Sequence, residues 1–225
     1  MSSSQSTIII PSSKIPQTGK STLRQQPSGA SGSFSNTLTK SIYEKNLNRR
    51  APDLSLSSFS FLFSEAIQYL QKQSSGIQDL EKKLNELGYR IGLRTLELLT
   101  LRDGKSAKRE TKVLGVLQFI NTTMWRALFG KQADGLEKSR DSEYEYMIID
   151  NCPLVSQFIS VPKEKSQLSC AAFTAGIIEA VLDGYVFTAK VTAHTVPTEE
   201  FPLRTVFLIK FKPDVINREN SYKLR

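Results

Sequence analysis

The sequence predicts an α+β domain in which four helices accompany a small antiparallel sheet, preceded by a polar tail. Three observations carry this. Apolar residues recur at helical spacing through three stretches between Leu56 and Phe129. Strand-like patterns appear only later, near 144–149, 187–196 and 204–211. A fourth helical stretch, rich in small residues, lies among those strands. Helices first, then a sheet interrupted by one helix, is an α+β arrangement.

The first helix starts at Asp53 or Ser55, either of which can accept a backbone N–H at a helix N-terminus. Leu56, Phe59, Phe63, Ile67 and Leu70 form one stripe, which Phe61, Leu62 and Ala66 widen beyond a single face. Ser74-Ser75-Gly76 ends it. The second helix spans about Ile77 to Leu101, with Leu80, Leu84, Leu87, Ile91, Leu98 and Leu101 at near-heptad spacing. Gly88 and Gly92 share a face; each costs about 1 kcal/mol of helix propensity relative to Ala. They therefore mark a close backbone approach. The third helix is expected from Ala107 to Phe129, with Gly130 as its stop. Residues 131–142 read as a polar link and 144–149 as a strand. A buried fourth helix starts at Ser166 or Ser169 and ends at Gly184. The segments 187–196 and 204–211 should pair as a long-looped hairpin. Residues 1–50 are expected to be a disordered basic tail, 51–213 the folded domain, and 214–225 a short polar C-terminal tail.

The tail expectation rests on composition. Residues 1–50 hold twelve Ser and five Thr but few large apolar groups, too little to offset ordering entropy. They carry +6 of the chain's net +8, so residues 51–225 are close to neutral. The basic residues are scattered, which argues against nucleic-acid binding and for a weak preference of the tail for anionic membrane or an acidic partner. The longest apolar stretch, Leu168 to Leu182, is too short to span a bilayer and contains Glu179. The N-terminus lacks a secretory pattern. Two cysteines and one histidine imply reduced thiols in the cytosol, no metal cluster, and no cofactor.

Several motifs invite an enzymatic reading and fail on inspection. Gly19-Lys20-Ser21-Thr22 lacks the upstream glycine of a phosphate-binding loop, because Lys14 stands in its place. Asn121-Thr122-Thr123 satisfies a glycosylation sequon, but within a helix. His194 sits in a strand pattern without a nucleophile arrangement. Cys170 reads as a small core residue, and Cys152 lacks an activating neighbour. No catalytic residue is assigned, so the chain is expected to be non-enzymatic. Its apolar helical surface exceeds what one small domain needs, which argues for a partner surface.

Beyond these patterns, LSLSSFSFLFSEAIQYLQ (54–71), LNELGYRIGLRTLELLTLRDG (84–104), KRETKVLGVLQFINTTMWRALFGKQAD (108–134), PLVSQFISVPKEKSQLSCAAFTAGIIEAVLDG (153–184) and AKVTAH (189–194) resemble the small α/β subunits of the transport protein particle, TRAPP. The resemblance covers about residues 54–212. It implies four helices packed on one face of a small, twisted, four-stranded antiparallel sheet. It implies pairing with a sister small subunit through the first two helices, within a larger particle. It further implies a scaffold role in vesicle tethering and in nucleotide exchange on a Rab-type GTPase, with peripheral membrane contact through the assembly at the cytoplasmic face of endoplasmic reticulum and Golgi. The expected subunit interface is Phe59, Phe63, Ile67, Leu84, Leu87, Gly88, Ile91, Gly92 and Leu98. A sister subunit carries an acylated cysteine between its second and third helices; here Asp103-Gly104-Lys105-Ser106-Ala107 has none. A small-molecule or lipid-binding module with an internal apolar channel is the competing expectation.

Overall fold

The computed structural model describes residues 55–103, 109–140, 142, 144–162 and 167–223. The basic tail, Gly19–Thr22, Ser166 and most of the segment between the second and third helices lie outside the described residues. The elements are α1 (Leu56–Lys72), α2 (Ile77–Asp103), α3 (Val113–Phe119), a π-helical segment (Ile120–Met124), α4 (Trp125–Phe129), β1 (Gly135–Lys138), β2 (Glu145–Asp150), α5 (Ala172–Gly184), β3 (Ala189–Thr195), β4 (Thr205–Phe211) and α6 (Pro213–Lys223). The strands form one antiparallel sheet in the order β1-β2-β4-β3.

Local chemistry explains the first helices. Ser55 is extended and its Oγ accepts the Ser58 N–H at 3.2 Å, capping α1. Phe63 and Ile67 turn inward, and the Phe63 ring meets Phe173 of α5 with centroids 5.1 Å apart. The α1–α2 turn is fastened by Lys83, whose Nζ donates to the Gln73 carbonyl at 2.6 Å and to Asp79 at 3.0 Å. Nearly every position of α5 is buried, as a central helix requires.

The third helical pattern is one run broken by its π turn. Widening the helix there directs the Asn121 carbonyl to the Ala133 N–H at 3.0 Å, tying the helix to the segment that enters β1. Gly130, at φ 76°, closes the run in the left-handed conformation. The run begins at Val113 rather than Ala107. Its first N–H is held by Glu219 Oε2 at 3.2 Å, a partner 106 residues further along the chain.

Two segments differ from their sequence patterns. Residues 135–138, expected in a polar link, form edge strand β1 paired in register with β2. The expected polar tail from 214 is mostly helix α6. Pro213 opens it, Val215 and Ile216 are buried, and the Arg218 guanidinium lies 4.8 Å from the Phe187 ring centre. Its low mean hydropathy hides a two-residue apolar anchor.

Fully buried Trp125 packs edge-on against Phe207 with centroids 5.5 Å apart. Its Nε1–H donates to Asp150 at 3.2 Å; the same carboxylate accepts from Lys131 Nζ at 2.7 Å and from the Cys152 N–H at 3.1 Å. Lys131 reaches solvent and is rehydrated when its partner is removed. The consequential loss in an Asp150→Ala variant is the acceptor for a sealed indole. We expect destabilisation of about 2–3 kcal/mol in urea unfolding. Asp150→Asn, which retains an acceptor, should lose less.

Candidate functional site

The most intimate contact in the fold is the crossing of α2 and α5. A Cβ on Gly88 would overlap the Phe173 carbonyl oxygen, and one on Gly176 would overlap that of Asn85. A Cβ on Gly92 would lie 2.6 Å from the Ile177 carbonyl oxygen. Three glycines thus let two helix backbones touch, and no side chain of α2 stands between them there. Polar contacts border the seam. Glu81 accepts the Ser169 N–H at 2.8 Å, Asn85 donates to Glu179 at 3.3 Å, and Tyr89 donates to Asp183 at 3.1 Å.

The seam sets several ionisation equilibria. Burial pushes the Tyr89 phenol up, and its bond to Asp183 adds to that. Burial also pushes the Cys170 thiol up to about 11, with Glu81 adding to it, so this thiol is unreactive at neutral pH. Burial raises the Glu179 carboxyl, opposed by the Asn85 amide and aided by Asp183. A raised carboxyl adds stability below its unfolded value and loses that advantage as pH climbs through its folded value. Charging Glu179 as the pH rises therefore costs stability. Glu179→Gln keeps the acceptor for Asn85 without the charge. It should melt above the parent at pH 7, and the gap should close as the pH falls below the ordinary carboxyl range.

This seam redistributes the expected interface residues. Phe63, Ile67, Leu84, Gly88 and Gly92 are buried within this chain's own fold. Packing beneath α1 and α2, and against α5, encloses these five in the isolated chain. Phe59, Leu87 and Leu98 are half-buried, and Ile91 is 37% exposed. The outer side of α1 presents larger apolar groups, with Phe61 79% and Leu62 71% exposed and Tyr69 beside them at helical spacing. The sequence signal for Phe61 and Leu62 is the excess width of the α1 stripe. A helix served only by its own core does not need it.

Two clefts flank these helices. One of about 950 Å³ has Leu96, Leu99, Phe119 and Tyr185 in its wall, with Arg102 and Arg109 among its polar lining residues. Neither cysteine lines it: Cys152 is exposed after β2 and Cys170 is buried before α5. The other, about 890 Å³, runs between α2, α5 and β3 and includes His194. His194 is exposed, and its Nε2 lies 2.9 Å from the Thr192 hydroxyl. Among the described residues, no three His, Cys, Asp or Glu side chains converge to hold a metal ion, and no helix is long and apolar enough to cross a membrane.

Comparison with known proteins matches this arrangement to a family. The family model described as "Transport protein particle (TRAPP) component" matches residues 59–212. The trafficking protein particle complex subunit 5 of Dictyostelium discoideum is 54% identical over 179 residues, covering 79% of this chain and 95% of that protein. The human protein of the same name is 45% identical over 184 residues, covering 82% and 94%. The fold is similar to a crystal structure of a trafficking protein particle complex subunit 3 from Naegleria fowleri, covalently bound to palmitic acid. There the TM-score is 0.60 at 16% identity, covering 70% of this chain and 95% of that one. The chain belongs to the TRAPP component family.

Proposed function

We propose that this chain is a non-catalytic structural subunit of a TRAPP complex, joined to a sister small subunit through the outer faces of α1 and α2. The single observation that carries the reading is the pair Phe61 and Leu62, 79% and 71% exposed on a helix whose other side already packs on the core. Adjacent large apolar groups left in water at a helix surface favour a protein interface. The half-buried Phe59, Leu87 and Leu98 and exposed Ile91 continue the surface; the five enclosed residues support it from behind.

On this reading the chain acts by completing an assembly. Vesicle tethering and nucleotide exchange on a Rab-type GTPase belong to the particle, which works at the cytoplasmic face of the endoplasmic reticulum and Golgi. Membrane contact is peripheral and made through the assembly. The test is co-expression of the full chain with each sister small subunit under two affinity tags. A stoichiometric pair that survives both purification steps supports the proposal; a lone chain that stays soluble and pairs with none defeats it.

A second reading uses the 950 Å³ cleft as a lipid or small-molecule site, supported by its apolar wall and two arginines. Thioester acylation at this cleft would need a thiol there, which neither cysteine supplies. Mass spectrometry under native conditions separates the readings: a retained non-covalent lipid favours the second.

A further inference from the structure

The sheet register reveals a second apolar surface, away from α1 and α2. Residues alternate between faces, and Ile148, Phe207 and Ile209 belong to the core beneath the sheet. The residues between them point the other way. Met147 stands opposite Leu208, and Ile149 opposite Val206, making an apolar square across the two central strands. Of the four, Ile149 is itself enclosed at 6% exposure, whereas Met147, Val206 and Leu208 are half-buried. Val196, 44% exposed just past β3, extends the square.

One end of this face is cationic. Lys190 of β3 and Lys210 of β4 stand directly opposite each other, and the exposed Lys212 follows. Like charges directly opposite are unfavourable. Lys210 is relieved by Glu145 at 2.9 Å. Among the described residues, Lys190 and Lys212 close no ion pair. Lys190 also feels the charge of Glu179 across the strand edge, without forming a salt bridge.

We propose that this outer sheet face is a docking surface for an acidic amphipathic helix of another polypeptide. Its apolar ridge would lie over Met147, Val206 and Leu208, and its carboxylates would meet Lys190 and Lys212. Size fits this occupant. Two strands about 5 Å apart with their side chains match a helix about 10 Å across. A second copy offers no marked excess of carboxylates, since this face carries Glu137 and Glu145 against Lys190, Lys210 and Lys212. A bilayer fits poorly as well, because Met147, Val206 and Leu208 are half-buried and a flat surface does not reach them.

The test places a photo-reactive p-benzoylphenylalanine at Thr192, beside Leu208 on this face, in the full chain within its assembled complex. A second probe at Phe61 reports α1. After irradiation, the Thr192 probe should join to a different polypeptide at a segment with apolar and acidic residues at helical spacing. The double variant Lys190→Glu, Lys212→Glu should lower that yield roughly tenfold, while the Phe61 adduct stays unchanged. The unchanged adduct shows that the chain is folded and assembled. Capture of a second copy, of lipid, or of nothing overturns the proposal, as does a Thr192 adduct indifferent to the charge reversal. Loss of the Phe61 adduct in the parent chain instead counts against the α1 interface, so the two proposals fail separately.

Discussion

Gly88→Ala and Gly176→Ala each lower the stability of this fold by about 3 kcal/mol or more. In an exposed helix interior, replacing Gly with Ala gains about 1 kcal/mol of propensity. Here the new methyl of each variant would collide with a backbone carbonyl of the opposing helix. A flexible side-chain end can move aside. A carbonyl cannot move without shifting α5 against α2. Overpacking of well-filled cores costs about 1–3 kcal/mol and sometimes more, and a backbone obstacle belongs at the upper end. Gly76→Ala is the control, because a Cβ there meets nothing within 4 Å. The measurement is a urea denaturation midpoint by circular dichroism. A midpoint at or above the parent's for Gly88→Ala would show that the two backbones do not touch.

Phe61→Asp together with Leu62→Asp should abolish pairing with a sister subunit while leaving the fold intact. Both side chains are largely in water in the free chain, so their removal costs the monomer little. Across an apolar interface each becomes an unpaired charge in a dry seam, and truncating such anchors already costs about 2 kcal/mol or more apiece. Leu84→Asp is the instructive contrast. Leu84 is wholly enclosed, so this change should unfold the chain rather than unpair it. Two-tag recovery with circular dichroism of each variant distinguishes them. If the Phe61, Leu62 double variant still pairs normally, the contact lies elsewhere. If Leu84→Asp stays folded and only unpairs, the core assignment of α2 is wrong.

The elements legible in the sequence are those whose pattern is local. The α1 stripe, the α2 repeat, the small-residue run of α5 and the β3–β4 hairpin all carry their period within a few residues. The other segments depend on distant partners. β1 is four residues long with a single large apolar group, and pairing with β2 makes it a strand. The start of α3 answers to Glu219. α6 looks polar throughout, yet Val215 and Ile216 are enough to seat it.

The candidate surface divides in the same way. Excess apolar width on α1 is visible in the sequence, because spacing alone shows that one core cannot use all of it. Which of those residues face outward is not visible. Periodicity assigns positions to a face of a helix but does not say which neighbour covers that face. Gly88 and Gly92 announce a close approach in the sequence, since a helix tolerates their cost only for a reason. Their partner, Gly176, and hence the burial of the seam within this chain, follows only from the crossing of two helices nearly ninety residues apart. The sequence by itself determined the fold class, the helical periods and the family. Tertiary structure alone decided which apolar groups are core and which remain surface, because burial depends on what packs against a face, and that partner is distant in the chain.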